Sequence, residues 1–220
     1  MGRVDLESNL ESASAYSTHA YLSRVRLSFD MVRLDPIDPD DVPTEKRSLL
    51  ETASDTASSD DHSLSGGQLN VYRTLGRNLD LLEGFRDYLS VLWHQSGLTP
   101  HERELVILTT AARTDSAYEW HQHVRVALDE GVPTEDILAV SRGRHDALEP
   151  RYSALVEYVE QFVEGDIGET THAQLTGYYP DEVVLGIGAL AGNYLGLARV
   201  LEAIEVEPES PFVGWDLENL

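Results

Sequence analysis

Hydrophobic residues recur at the spacing of a helix face from residue 68 nearly to residue 206, and no stretch alternates strictly as a half-buried strand does. The pattern therefore predicts an all-α fold. Two helices are predicted within 69–97, separated by a break near residues 78–80. Capping and turn signals place the further helices at about 98–113, 116–131, 134–143, 150–164, 170–178 and 181–204.

The helix at 98–113 begins with a capping signal. Thr99, Pro100 and Glu102 stand at the N-cap, N1 and N3 positions, which is a capping box with proline at its preferred place. Either Asp115 or Ser116 is expected to cap the helix that follows.

The last predicted helix is strongly apolar over residues 183–201. Because two polar residues interrupt this stretch and a membrane span needs about 20 clean apolar residues, we expect a buried or interface helix and no membrane contact. Gly188, Gly192 and Gly196 recur along it. Each glycine costs about 1 kcal/mol inside a helix, so the repeat predicts close approach of another helix, within the chain or across a subunit interface.

The chain divides into four parts. Residues 1–32 are serine-rich and poorly periodic, which predicts a disordered or mis-started N-terminal tail without a secretory signal. Residues 33–67 predict a lead-in segment with a short helix at 44–54 and a polar loop. Residues 68–206 form the helical domain, and 207–220 are expected to be a C-terminal tail.

Charge narrows the expected partners and location. Lys and Arg number 16 against 39 Asp and Glu, a net charge of −23, and Lys46 is the only lysine. So acidic a surface repels nucleic acid and anionic membranes, and neither is an expected partner. The scarcity of lysine favours a halophilic protein whose self-repulsion is screened by strong salt. This predicts unfolding in low salt. Since neither a secretory signal nor a clean membrane span is predicted, a cytoplasmic location is expected.

Candidate chemistry is concentrated in "SAYEWHQH", residues 116–123, in a chain without cysteine. The absence of cysteine excludes disulfides, thiolate zinc sites and cysteine nucleophiles. On a helix, Ser116, Glu119 and His123 fall within an arc of about 60°. His121 lies about 160° from His123, so the two histidines do not have the spacing of metal ligands on one helix. No metal or cofactor is predicted.

Glu104 on the preceding helix is followed by four apolar residues and is expected to be buried, where a carboxylate needs a partner. A short turn at 113–115 would bring it near His123. Two carboxylates around one imidazole make a proton-transfer site, because the acids orient the ring and stabilise its cation. The alternative is a structural Glu–His hydrogen bond that only ties two helices together.

Four neighbouring residues are pocket candidates: Ser116, Tyr118, His121 and Arg113. Arg113, like Arg73, has the guanidinium fork that binds a substrate carboxylate. The alternatives are core packing for Tyr118 and His121 and a solvated position for each arginine.

Four segments together resemble the carboxymuconolactone decarboxylase family, which is related to the AhpD-like alkylhydroperoxidases. They are "LNVYRTLGRNLDLLEGF", "LTPHERELVIL", "YEWHQHVRVALDEGVPTEDILAV" and "LAGNYLGLARVLEAIEVE", in order within residues 33–206. The resemblance implies an AhpD-like helical bundle whose signature region lies on a helical pair. It also implies a symmetric homo-oligomer, a trimer or a hexamer.

Proteins of the related AhpD branch carry the pattern E-x11-C-x2-C-x3-H, in which the two cysteines form a redox pair, and this chain resembles the pattern only in part. Its glutamate and histidine fall on Glu104 and His123, but its cysteine positions fall on Ser116 and Glu119. Serine and glutamate cannot form the disulfide of thiol-based peroxide reduction. Antioxidant activity assigned at family level is therefore a disfavoured alternative.

The remaining pattern is similar to the decarboxylase branch, whose members use no cofactor and convert a carboxylated unsaturated lactone to an enol-lactone and carbon dioxide. The resemblance implies acid–base chemistry on a small carboxylated or lactone substrate. His123, Glu119 and Glu104 are the candidate catalytic residues, with His123 as the acid that protonates the ring. A non-catalytic helical oligomer or binding module is the other alternative.

Overall fold

The computed structural model describes residues 33–52 and 68–220, so the predicted N-terminal tail and polar loop lie outside the described residues. These ranges contain eight α-helices, and their only β element is an isolated bridge between Glu51 and Gln68. The all-α prediction is confirmed. The helices are α1 (Asn70–Leu75), α2 (Leu79–Gln95), α3 (Pro100–Thr114), α4 (Ala117–Asp129), α5 (Thr134–Ser141), α6 (Pro150–Glu164), α7 (Glu169–Thr176) and α8 (Asp181–Ile204).

Helix α3 is the centre of the bundle, and α4, α5, α6 and α8 pack around it. All of residues 102–111 are buried. The predicted capping box is confirmed, since Thr99 Oγ1 accepts the Glu102 N–H at 3.3 Å and Glu102 Oε2 accepts the Thr99 N–H at 3.0 Å. Asp115 closes α3 with a left-handed φ of 55°. Ser116 takes the N-cap position of α4, but its side chain makes no capping hydrogen bond.

The lead-in segment lies against α2. The short helix predicted at 44–54 is a 3₁₀ helix over Thr44–Leu50. Lys46 in this helix pairs with Asp80 at 2.9 Å and Glu83 at 3.1 Å on α2. These contacts, with Leu50 buried beneath them, hold the segment beside the outer side of the bundle.

Helix α8 buries one of its faces in the core of the bundle. Its length and composition would allow it to cross a membrane. However, it packs along α3 and contacts α2 and α6, and its buried side includes Ile187, Leu190, Tyr194 and Leu201. This agrees with the expectation of a buried or interface helix.

The predicted glycine repeat of α8 does not make a tight crossing within the described residues. A Cβ at Gly188 or Gly192 would lie 3.7 or 3.6 Å from the Phe162 ring, an ordinary contact, and one at Gly196 would have no atom within 4 Å. The close approach is at Gly186, where a Cβ would lie 2.2 Å from the Ser96 carbonyl oxygen. The intrachain alternative for the repeat is therefore wrong for these three glycines, and the alternative of a subunit interface stays a prediction.

We expect Gly186→Ala to lower the free energy of unfolding by about 1–3 kcal/mol, because the added methyl group meets backbone that cannot rotate away. Gly196→Ala is the matched control on the same helix. It should raise stability by about 0.5–1 kcal/mol, since its position is open and alanine favours a helix. Denaturant unfolding in molar salt measures both, and equal effects would contradict the proposed contact.

The segment predicted as a C-terminal tail, 207–220, has no helix but packs against α4 and α5. The Trp120 indole donates to the Gly214 carbonyl at 3.0 Å, and the rings of Trp120 and Trp215 lie 5.2 Å apart. Val213 is completely buried. The segment therefore contributes to the core, which its irregular hydrophobic pattern did not reveal.

Candidate functional site

A cavity of about 500 Å³ lies between α1, α2, α4 and α8, beside residues 48–52. Its wall includes Arg86, Trp93, Tyr118, Glu119, His123 and Tyr194. Two candidate catalytic residues, Glu119 and His123, thus face one cavity from consecutive turns of α4. Among the described residues no three His, Asp or Glu side chains are placed to hold a metal ion.

The structure brings Glu104 and His123 together behind this wall. His123 Nδ1 lies 2.8 Å from Glu104 Oε2. Glu104 is completely buried, and its Oε1 accepts the Arg103 Nε–H at 3.1 Å. Both carboxylate oxygens are therefore occupied, so Glu104 can orient the imidazole but does not face a ligand. No described residue hydrogen-bonds His123 Nε2, which leaves that nitrogen for proton exchange.

Aromatic rings hold the imidazole from two sides. Tyr194 meets His123 edge-on, with ring centroids 5.0 Å apart, and Trp93 lies 6.0 Å away. Burial, together with the Glu104 carboxylate, holds the pKa of Tyr194 well above its usual value. Tyr194 is therefore a neutral wall residue, and the ring of His123 is confined to one orientation.

Glu119 is a buried carboxyl group without a strong partner. It is 2% exposed, and among the described residues neither oxygen makes a hydrogen bond of good geometry. Burial raises the pKa of Glu119 to about 8, which the nearby Ser116 hydroxyl offsets only in part. The carboxyl group therefore keeps its proton at neutral pH and offers an O–H donor on the cavity wall. Such perturbed groups cluster at functional sites.

Of the four pocket candidates, only Tyr118 lines the cavity. Its hydroxyl donates to Glu209 Oε1 at 2.8 Å and accepts the Val71 N–H at 3.1 Å. Glu209 also accepts a hydrogen bond from Gln122, another wall residue. Ser116 is buried but does not line the cavity. The C-terminal segment thus fixes this part of the wall.

The assignment of His121 to the pocket is wrong. Its Nδ1 accepts the Val213 N–H at 3.1 Å, and its Nε2 lies 3.1 Å from the Ser210 hydroxyl. Burial, together with the charge of Arg125, lowers its pKa. His121 therefore anchors the C-terminal segment on the face of α4 opposite His123, as their angular separation on the helix requires.

The assignment of Arg113 to the pocket is also wrong. Its Nε pairs with Glu160 on α6 at 3.1 Å. Arg113 follows Glu104 by nine positions, which turns it about 180° round α3 and away from the cavity. Arg73 donates to the Ile37 carbonyl at 3.3 Å and does not line the cavity either.

The wall residues that the sequence analysis missed include Arg86, Trp93 and Tyr194. Arg86 and Trp93 are seven residues apart on α2 and share one face of it. An arginine on the same helix face as a large aromatic residue was the sequence feature that could have indicated a binding surface there. Tyr194 gave none, because it lies in a helix that is apolar on nearly all sides.

Residues 80–161 match the family model of the Carboxymuconolactone decarboxylase family, and this span includes Glu104, Glu119 and His123. No curated protein matches the chain. Several solved structures share the fold. An uncharacterized peroxidase-related protein with an AhpD core from Ralstonia eutropha JMP134 has a TM-score of 0.69 at 20% identity, over 86% of this chain and 98% of that one.

Two further structures are comparable. A peroxidase-related protein from Silicibacter sp. TM1040 has a TM-score of 0.68 at 19% identity, over 86% of this chain and 98% of its own. The debrominase Bmp8 has a TM-score of 0.71 at 14% identity, over 86% of this chain and 99% of its own. At such identities these structures show the fold alone. The family model thus matches the part of the chain that carries the candidate site, and the chain shares the fold of these AhpD-like proteins.

Proposed function

We propose that the protein is a cofactor-independent enzyme of the carboxymuconolactone decarboxylase type, acting by acid–base chemistry on a small carboxylated or lactone substrate. One observation carries the proposal: His123, held by Glu104, shares a cavity wall with the neutral carboxyl group of Glu119. The cavity of about 500 Å³ suits a small molecule. A Bmp8 variant of the same fold was solved with 2,3,4-tribromopyrrole, which supports a small-ring ligand.

In the proposed reaction the bond to the departing carboxylate breaks, carbon dioxide leaves, and the electron pair remains on the lactone as an enolate. Neutral Glu119 donates a hydrogen bond to the carbonyl oxygen where the charge develops. His123, as the imidazolium, transfers its Nε2 proton to a ring carbon, which forms the C–H bond of the enol-lactone. Glu104 positions the ring and stabilises its cation, and water returns the proton.

Release of carbon dioxide from γ-carboxymuconolactone in molar salt tests this proposal. We expect folded His123→Ala to lower the rate by about 10²–10⁴-fold, the usual contribution of a positioned acid. His172→Ala is the matched control, because His172 is exposed and does not line this cavity. No release by the wild-type protein would exclude this substrate, and unchanged release by His123→Ala would exclude the proposed acid.

Peroxide reduction is the second candidate, because two structural neighbours are described as peroxidase-related. Against it, the chain has no cysteine, and Ser116 and Glu119 occupy the positions expected for the thiols. Peroxide consumption that persists in the presence of thiol-blocking reagents would favour this candidate.

We further propose that the chain works as a cytoplasmic homo-oligomer. On α8, Leu185 is 75% exposed and Val200 is 44% exposed, on either side of the glycine repeat. Apolar surface of this kind is typical of protein–protein contacts. Light scattering in molar salt should give the mass of a trimer or hexamer, whereas a monomer at all concentrations would contradict the proposal.

A further inference from the structure

We propose that Arg86 forms an anion subsite in the cavity. This subsite binds a substrate carboxylate that is not released as carbon dioxide. The inference rests on the proposed function in taking this cavity as the substrate site. Arg86 lines the same cavity as Glu119 and His123. Among the described wall residues it is the only arginine or lysine.

The Arg86 guanidinium is held in place by uncharged groups. Its Nη1 donates to the carbonyl oxygens of Leu49 at 2.7 Å and Ser48 at 3.3 Å, and also to that of Glu51. Its central carbon lies 4.8 Å from the centre of the Tyr72 ring. These contacts orient the group but leave its full positive charge in place.

No carboxylate within the described ranges forms an ion pair with Arg86. Arg103 and Arg113, by contrast, are each paired with glutamates. The half-buried Arg73 and Arg125 bond to uncharged groups as Arg86 does, but neither lines the cavity. Glu51 and Asp87 also line the cavity, but both are exposed and neither pairs with Arg86. In a chain with 39 acidic residues, an oriented arginine without an acidic partner is suited to an anionic ligand.

The remaining nitrogens, Nε and Nη2, have no hydrogen bond to a described residue. They are the edge with which a guanidinium binds a carboxylate in a bidentate manner. A cation that held the departing carboxylate would stabilise the ground state and oppose loss of carbon dioxide. Arg86 therefore suits a carboxylate that stays on the substrate throughout the reaction.

Calorimetric titration with 2-furoate and with methyl 2-furoate, in the same molar salt, tests the subsite. The two probes share a planar five-membered ring and differ in charge. We expect Arg86→Gln to weaken 2-furoate binding about 10–100-fold, the usual value of a charged hydrogen bond, and to leave the ester within about twofold. Arg86→Lys, which keeps the charge without the fork, should fall between.

Arg73→Gln is the matched control, because Arg73 also donates to a backbone carbonyl but does not line the cavity. Equal weakening of both probes by Arg86→Gln and Arg86→Lys would overturn the subsite, as would wild-type protein that binds acid and ester equally or binds neither. Failure of carbon dioxide release would leave a charge-selective binding result standing. The two proposals can therefore fail separately.

Discussion

Replacement of Glu119 by glutamine is expected to remove the part of the alkaline loss of activity that Glu119 causes, while keeping most of the turnover of the wild-type enzyme at neutral pH. The proposed role of Glu119 is to donate a hydrogen bond from a carboxyl group whose pKa burial raises to about 8. As pH rises through that value the group ionises and loses its donor, so wild-type kcat should fall. Glutamine donates through its amide at every pH.

Glu119→Leu completes the comparison, because it removes the donor and keeps an apolar side chain of similar length. We expect it to lower kcat by about 10²–10³-fold, the cost of losing one donor to a developing oxyanion. Profiles of kcat from about pH 6 to about pH 10 would measure both effects. An alkaline limb in Glu119→Gln with the same midpoint and depth as in the wild-type enzyme would show that Glu119 does not cause it.

The same titration has a consequence for stability that needs no substrate. The pKa of Glu119 is about 8 in the folded protein against 4.5 for the free side chain. Between these values the folded state binds a proton that the unfolded state has released, so the free energy of unfolding should fall as pH rises through this window. The fall approaches roughly 5 kcal/mol, and Glu119→Gln should remove most of it. Denaturant unfolding at about pH 4.5 and at about pH 8 would measure this fall for the wild-type protein and for Glu119→Gln.

Glu104→Ala is expected to destabilise the protein by about 3–5 kcal/mol, the range for breaking a buried ion pair from one side. The substitution leaves the nearly buried guanidinium of Arg103 with Glu130 as its remaining carboxylate partner, at 3.2 Å. It also removes the acceptor that fixes His123. Denaturant unfolding in molar salt measures the loss.

Two variants separate the charge from the packing at Glu104. Glu104→Gln keeps the shape and one oxygen acceptor, so it should cost less than Glu104→Ala. Glu202→Ala removes an exposed ion pair with Arg199 and should cost less than about 1 kcal/mol. A Glu104→Ala effect as small as that of Glu202→Ala would show that the buried network contributes little.

The sequence was sufficient for features that depend on neighbouring residues. The capping box at Thr99 and the break before α2 follow from local hydrogen bonding, and both are present. The approach of Glu104 to His123 was predictable as well, because a short turn joins two antiparallel helices and limits which residues can meet. The chemical role of this pair stays a prediction.

Features that depend on distant packing could not be predicted in this way. Arg86 and Tyr194 reach the cavity because α2 and α8 pack near α4, which no local pattern specifies. The pocket assignments of Arg113 and His121 failed for another reason. Both residues are close to the site in sequence, but their side chains leave the helices on the wrong faces.

The contact between Tyr118 and Glu209 spans 91 positions of the chain. During synthesis, Glu104, Glu119 and His123 leave the ribosome long before Glu209 does. Helices α5, α6 and α8, which bury α3, also follow these residues in the chain. The complete cavity wall can therefore form only after residue 209 has been added, because Tyr118 lacks its carboxylate partner until then.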